Sequence, residues 1–250
     1  MEKSQIIHIG EYFQEFTKYN YFFSPSEMSQ GLPVPSDKKP YFSSQSTVRL
    51  PGADEFIPAA ADNFFTLLMK RRSRRSYSRE PLTLKELAAL LWGTQGVIES
   101  GYGYSYRTSP SAGARHPLET YLILNQVQDQ LSGLYRYLPF EHKLVLVQEG
   151  ADLPQRIAEA CLGQGIFVTC AVSFIWTAII QRSLWKYQQR AFRYIYLDAG
   201  HVCQNLYLTS EALGIGCCAV AAFDDNAVNQ IIGVDGKEEF AIYLATVGKY

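Results

Sequence analysis

From Leu184 to Leu213 the chain sets Phe192, Ile195, Ala199, Val202, Cys203, Leu206 and Leu213 at spacings dominated by three and four, the repeat of one apolar helical face. A helix that long crosses a core or a dimer interface. Upstream, Phe167 to Trp176 is rich in β-branched and aromatic residues, as a central strand is. It lies in an apolar run from Gly165 to Ile180 that includes Thr169, Ser173 and Thr177 and falls short of the roughly 20 residues a membrane helix requires. A buried strand leading into the next element follows. Gly133–Leu138 and Lys143–Gln148 alternate and predict a hairpin. Leu118–Leu124, Ile215–Phe223 and Phe240–Val247 complete the predicted strands. Asn63–Lys70 has the spacing of a short helix. Thr83-Leu84-Lys85-Glu86 is a capping box that opens a second helix through Leu87, Leu90, Leu91 and Trp92, stopping near Gly93. Asp152 caps a helix to about Leu162, and Asp224 or Asp225 caps one through Ile231. Helices interspersed with antiparallel strand pairs define an α+β protein.

The first 60 residues read differently. Tyr12, Phe13, Phe16, Tyr19, Tyr21, Phe22 and Phe23 crowd together, and prolines are spread from Pro25 to Pro51. A disordered tail carries fewer aromatics, so residues 1–60 are expected to form an ordered arm packed on a body of residues 61–250. With 250 residues and 47% hydrophobic side chains the chain buries a substantial core. A net charge of -1 argues against a general nucleic-acid binder. Cys161, Cys170, Cys203, Cys217 and Cys218 show no CxxC spacing, and the first residues have no basic-then-apolar signal pattern, so a reduced, cytoplasmic setting is expected. Four scattered histidines and these cysteines predict no metal site. Neither a GxGxxG fingerprint nor a Walker A sequence is present.

Against this near-neutral background, Arg71-Arg72-Ser73-Arg74-Arg75-Ser76-Tyr77 stands out. Adjacent guanidinium groups repel unless an anion neutralises them, and arginine forks match phosphate oxygens in bidentate fashion. The cluster is either a solvated basic loop or a phosphate site. Gly101 to Tyr106 alternates glycine, tyrosine and serine, which reads as a flexible aromatic loop: a surface loop packed on a neighbour, or a lid over a flat ligand. In Arg107–Pro117, small residues flanked by basic ones precede a strand, and there a planar ring system can approach the backbone closely. Cys217-Cys218 reads as a pair of small core residues.

Taken together, RRSRRSY at 71–77, LTLKELAALLWGTQG at 82–96, RTSPSAGARHPLE at 107–119, KYQQRAFRYIYLDAGHVCQNLYL at 186–208 and ALGIGCCAVAAFDD at 212–225 resemble the nitroreductase superfamily of flavoproteins. Within it they are most similar to the SagB-type peptide dehydrogenases, which include thiazoline and oxazoline oxidases. The resemblance runs from about Phe64 to the end of the chain. It implies a mixed, mainly antiparallel sheet flanked by helices, in an intertwined homodimer with FMN in a groove between protomers. It further implies that Arg71, Ser73 and Arg75, helped by Arg72, hold the FMN phosphate and ribityl chain. Pro110, Ser111, Ala112 and Gly113 match the segment that lies against the flavin from the partner subunit. Ala221 and Ala222 match positions whose backbone N–H groups face the flavin N5 edge, and Lys249 a basic phosphate contact. Lys186-Tyr187 matches the Lys-Tyr pair implicated in substrate deprotonation by azoline oxidases; otherwise it is simply a pair on the first turn of a helix. A lysine takes such a proton only where burial lowers its pKa. His201 is expected to be a helix–helix contact, and His116 to lie within reach of substrate. The implied activity is FMN-dependent dehydrogenation of azoline rings in a modified peptide. The alternatives are a nitro or quinone reductase using NAD(P)H docked transiently over the flavin, and a flavin-binding partner protein without turnover.

Overall fold

In the computed structural model of the chain, which describes residues 9–18, 24–56, 64–101 and 103–250, the alternating stretches pair as strands and the apolar-striped stretches cover them. In chain order the elements are α1 (Ile9–Phe16), β1 (Thr47–Arg49), α2 (Ala53–Phe56), α3 (Phe64–Lys70), α4 (Leu84–Gln95), β2 (Val97–Gly101), β3 (Tyr104–Arg107), β4 (Leu118–Leu124), β5 (Gly133–Leu138), β6 (Lys143–Glu149), α5 (Leu153–Ala160), α6 (Ile166–Thr169), β7 (Val172–Ile179), α7 (Gln181–Tyr187), α8 (Ala191–Ala212), β8 (Gly216–Val220), α9 (Asp225–Ile232) and β9 (Glu239–Gly248). Short 3-10 turns occupy Ala112–Ala114 and Gln188–Arg190.

The main sheet has the order β1-β6-β5-β4-β7-β9-β8. Every neighbouring pair in it is antiparallel. Parallel pairing is confined, among the described residues, to single bridges such as Ser73 to Cys217. Because side chains alternate across a strand, Leu122, Phe174 and Trp176 face one side, toward α4 and α8. Tyr121, Ile123 and Ile175 face the other, toward α5 and α9. The result is the expected α+β architecture, a mainly antiparallel sheet between two helical layers. Thr83 and Glu86 close the predicted capping box at the start of α4.

Several boundaries depart from expectation for identifiable reasons. Helix α4 runs through Gly93 to Gln95. Gly93 is a contact glycine rather than a terminator: a Cβ there would overlap the Thr209 side chain of α8. Phe167 starts on the short helix α6, which sends its ring into the α5–α9 core, and Asn125 Nδ2 donates to Val168 O and Cys170 O. Strand β7 therefore begins only at Val172. Asp152 makes no side-chain cap and faces Arg156 instead at 3.7 Å, and α5 ends at Ala160.

The long helix predicted from Leu184 is two helices. Gln188, at φ 50°, separates α7 from α8, so Lys186-Tyr187 closes one helix instead of opening another. Gly101–Tyr106 is a hairpin tip with Gly101 opposite Tyr104. Tyr104 and Tyr106 share its exposed face, while Ser105 and Arg107 are buried. Tyr19, Tyr21, Phe22, Phe23, Asn63, Tyr102 and the expected boundary at residues 60 and 61 lie outside the described residues.

The described part of residues 1–60 is not a loose wrapping. Arg115 Nη2 donates to Pro35 O (3.2 Å), Arg182 Nε to Ser36 O (3.0 Å), Arg107 Nη2 to Asp37 O (3.4 Å), and Arg136 to Lys39 O and Pro40 O (3.2 and 2.7 Å). Each of these arginines is at most 7% exposed. The buried guanidinium groups thereby find acceptors on the arm, as charged groups removed from water must. Glu119, also buried, takes Arg136 at 3.1 Å and Arg182 at 2.8 Å.

Candidate functional site

The arginine cluster lies along the free edge of β8. Arg74 N donates to Cys217 O at 2.9 Å, and Ser73 forms its single bridge with the same residue. Ser73 Oγ and Tyr207 Oη of α8 are 2.9 Å apart, and Tyr207 Oη accepts from Ala219 N at 2.8 Å. Tyr207 thus ties the cluster, the edge strand and α8 together, and the Arg71 guanidinium sits 5.2 Å from its ring centroid. Nothing in the order of residues marked Tyr207 beyond its place in a helix.

The four arginines divide by role. Arg74 turns inward, 3.2 Å from Glu211 and 4.1 Å from the Tyr250 ring centroid. Arg72 folds back on Met69 O and Arg71 O. Arg71 is half-buried and Arg75 exposed, and among the described residues no carboxylate pairs with either. They are left able to bind an anion, with Ser73 between them. Ala221 and Ala222 follow β8 directly and are exposed. Ala222 O accepts from Gln164 Nε2 at 3.0 Å. Lys249 is placed differently from what a phosphate contact requires: its ammonium is 2.7 Å from Glu86 and 3.3 Å from Glu80. Those hydrogen bonds raise its pKa.

The second half of the site is Ser109–Ala114 with α7. Pro110, Ser111, Gly113 and Ala114 line a groove of about 530 Å³ with Tyr106 and His116. Asp198 on α8 fixes this segment: its carboxylate accepts from Ser111 Oγ at 2.6 Å and from Ala112 N at 3.1 Å. Burial raises the Asp198 pKa, against those two hydrogen bonds. Gly113 takes a left-handed φ of 60°, and a Cβ on it would collide with Tyr187 Oη and lie 2.7 Å from Lys186 Nζ. The glycine is therefore required twice, for its backbone and for the space the two side chains occupy. Two sets of residues proposed separately, 110–113 and 186–187, meet here.

Of the histidines, His116 lines the groove and His201 does not. His116 Nε2 pairs with Ser105 O at 2.9 Å, and burial, with Arg107 nearby, pushes its pKa down to about 4. His201 is exposed on α8 rather than a contact between helices. Cys217 and Cys218 are buried, and burial raises both thiols. Among the described residues no cluster of His, Cys, Asp and Glu is placed to hold a metal ion, and no helix is long and apolar enough to cross a membrane.

The donor set suits a planar group that bears a phosphate: uncommitted guanidinium groups and a hydroxyl at one sheet edge, and a glycine-containing segment open to a flat face. Within one protomer the groove at Tyr106–His116 includes none of Arg71–Arg75.

Residues 68–249 match the family model described as "Nitroreductase family", and the chain belongs to that family. This places it among the oxidoreductases. Over 183 residues it is 36% identical to a protein of Methanocaldococcus jannaschii designated a nitroreductase, a match covering 73% of this chain and 89% of that one. It is 26% identical over 145 residues to the trifolitoxin-processing protein TfxB of Rhizobium leguminosarum bv. trifolii, covering 56% of this chain and 39% of TfxB. A crystal structure from Anabaena variabilis, also designated a nitroreductase, superposes with a TM-score of 0.72 at 26% identity, over 95% of this chain and 46% of that one. The chain thus spans less than half the length of the last two.

Proposed function

We propose that this chain is an FMN-dependent oxidoreductase of the SagB type, acting as a homodimer that dehydrogenates azoline rings in a modified peptide. The observation that carries the proposal is the convergence of Lys186 Nζ and Tyr187 Oη on Gly113. Making an azoline aromatic removes a proton from carbon as hydride departs, and a base must stand where that proton leaves. FMN, when bound, supplies the hydride acceptor. Lys186 Nζ or Tyr187 Oη receives the proton. Arg71, Arg75 and Ser73 hold the phosphate, Arg72 adds charge at the rim, and the backbone N–H groups of Ala221 and Ala222 face the redox-active edge. Pro110, Ser111, Ala112 and Gly113 come from the partner subunit, in keeping with a groove lining that includes none of Arg71–Arg75. The similarity to a trifolitoxin-processing protein is in keeping with a peptide substrate.

The surface favours a dimer. Helix α3 has no buried residue, and Phe65 and Met69 on it are each 72% exposed. It packs on α8, where Tyr196 and Leu197 are also exposed. Exposed apolar side chains on two helices that pack together are in keeping with a partner surface.

The match to a designated nitroreductase at 36% identity favours a second reading, an NAD(P)H-dependent nitro or quinone reductase. That chemistry uses the arginine cluster and has no need of Lys186-Tyr187. Lys186→Ala separates the two. Under the SagB-type reading it abolishes azoline oxidation and leaves flavin content and flavin reduction intact. If azoline is not a substrate and nitro or quinone reduction survives the substitution, the second reading holds. The purified protein is expected to be yellow and to release about one FMN per protomer on heating. A colourless protein that takes up no FMN overturns both, and a yellow one without turnover is a flavin-binding partner.

A further inference from the structure

Helix α7 carries the Lys186-Tyr187 pair and has only seven residues. Helices shorter than about 12–15 residues are marginal by themselves, and the left-handed Gln188 cuts α7 off from α8. Its orientation must therefore be imposed from outside, and residues 24–36 impose it. Gln181 Nε2 donates to Glu27 Oε2 at 2.8 Å, Arg182 Nε to Ser36 O at 3.0 Å, and Gln188 Nε2 to Ser24 O at 2.6 Å. Trp185 is held twice. Met28 N donates to its carbonyl at 2.9 Å, satisfying an acceptor that the helix end leaves open, and its own Nε1 donates to Leu32 O at 3.0 Å. On the other side of Trp185 the Arg115 guanidinium lies 5.0 Å from the ring centroid. Arg115 also donates to Arg182 O and to Gly103 O at the hairpin tip. The next two residues after Trp185 are the ones that meet Gly113.

We infer that residues 24–36 are a positioning element for Lys186 and Tyr187, acting through Trp185. The catalytic meaning of this rests on the oxidoreductase reading above, whereas the geometry does not. A strap kept for docking a peptide would leave its main-chain acceptors open. Here the carbonyls of Ser24, Leu32, Pro35 and Ser36 are spent on α7 and on Arg115, two residues past Gly113.

Trp185→Phe in the full-length, flavin-loaded protein deletes the bond to Leu32 O and keeps a ring beside Arg115. The expected result is a fall of about tenfold in kcat for azoline dehydrogenation, with KM within twofold and flavin content unchanged. Glu27→Ala, which removes the Gln181 contact at a partly exposed site, is expected to give a smaller fall of the same kind. Geometry is read separately by reductive methylation with ¹³C-formaldehyde, the Lys186 signal being assigned by its loss in Lys186→Arg. That resonance should stand apart from those of surface lysines in the parent protein and move toward them in Trp185→Phe. An unmoved resonance in both variants, or a kcat that falls only in step with Tm and flavin content, overturns the inference. If the parent protein dehydrogenates no azoline, the functional reading fails, and the resonance alone decides whether the arm positions Lys186.

Discussion

The molecule uses arginine in two opposite ways. At the β8 edge, half-buried Arg71 and exposed Arg75 have no carboxylate paired to them among the described residues. Beneath the hairpin, Arg107, Arg115, Arg136 and Arg182 are buried, and their donors are directed at named acceptors: the Glu119 carboxylate, the Gln95 side chain, and the carbonyls of Pro35 to Pro40. Burial lowers the Arg107 pKa to about 10, still well above neutral pH. The contrast shows what an arginine-rich stretch is worth as a clue. The cluster legible in the order of residues is the one with capacity to spare, and the set that holds the fold is scattered from position 107 to 182, where no local pattern betrays it.

The largest test of this contrast is Arg182→Met. It strips Glu119 of its 2.8 Å partner and leaves His116 O and Ser36 O without their donor. Breaking a buried pair of this kind is expected to lower stability by about 3–5 kcal/mol, measured by urea unfolding. Arg75→Met in the same assay should stay within about 0.5 kcal/mol of the parent.

Next comes pH. His116 is held neutral with its pKa pushed to about 4, from an ordinary value of 6.5. The unfolded chain therefore binds the proton first as pH falls, so this stability is complete above about 6.5 and is lost on the way down to about 4. The loss amounts to roughly 3 kcal/mol. His142 is also lowered by burial and adds a limb of the same sign. His116→Gln should remove the larger limb from a pH series of melting curves and leave the smaller.

At the open edge, Arg71→Met and Arg75→Met should each weaken FMN binding by about 100-fold, the worth of a charge-assisted phosphate contact of roughly 2–3 kcal/mol. Fluorescence titration of the apoprotein measures it, and an unchanged affinity would remove the cluster from the site. The smallest effect is expected at Lys249, whose ammonium is already committed to Glu86 and Glu80. Lys249→Met should change flavin affinity less than about threefold and stability by under about 1 kcal/mol.

Much of the architecture was legible because local signals agreed with it. The Thr83–Glu86 capping box, the β5–β6 hairpin and the alternation of β9 each read correctly from a few adjacent residues. The failures share a cause. Gly93 looked like a helix stop because its reason, the Thr209 side chain, lies on another helix. The break at Gln188 lies where its side chain reaches Ser24 O, far away in sequence, and the periodicity on either side runs through it undisturbed. In the candidate site the residue types were readable, but the meeting of Gly113 with Lys186-Tyr187 was not, because the segments lie more than 70 positions apart and were read separately. Tyr207 and Asp198, which tether the two halves, were not: each is one polar side chain on a helix, distinguished only by a partner far away in sequence. The arm was expected to be ordered, but its grip on α7 involves main-chain carbonyls, which leave no mark on composition.

The arginine clamp also fixes an order of events during synthesis. The donor that Ser36 O accepts from, on Arg182, is made 146 positions later. At about 5–20 residues per second, the arm waits on the order of 10–30 seconds before that acceptor can be met. The contacts of residues 24–36 with α7 therefore cannot form until residues 181–188 have been made, with β8 and β9 still to follow. Until then the nascent chain exposes buried-type arginines and proline-rich segment alike, the interval in which a chaperone or a protease would find it.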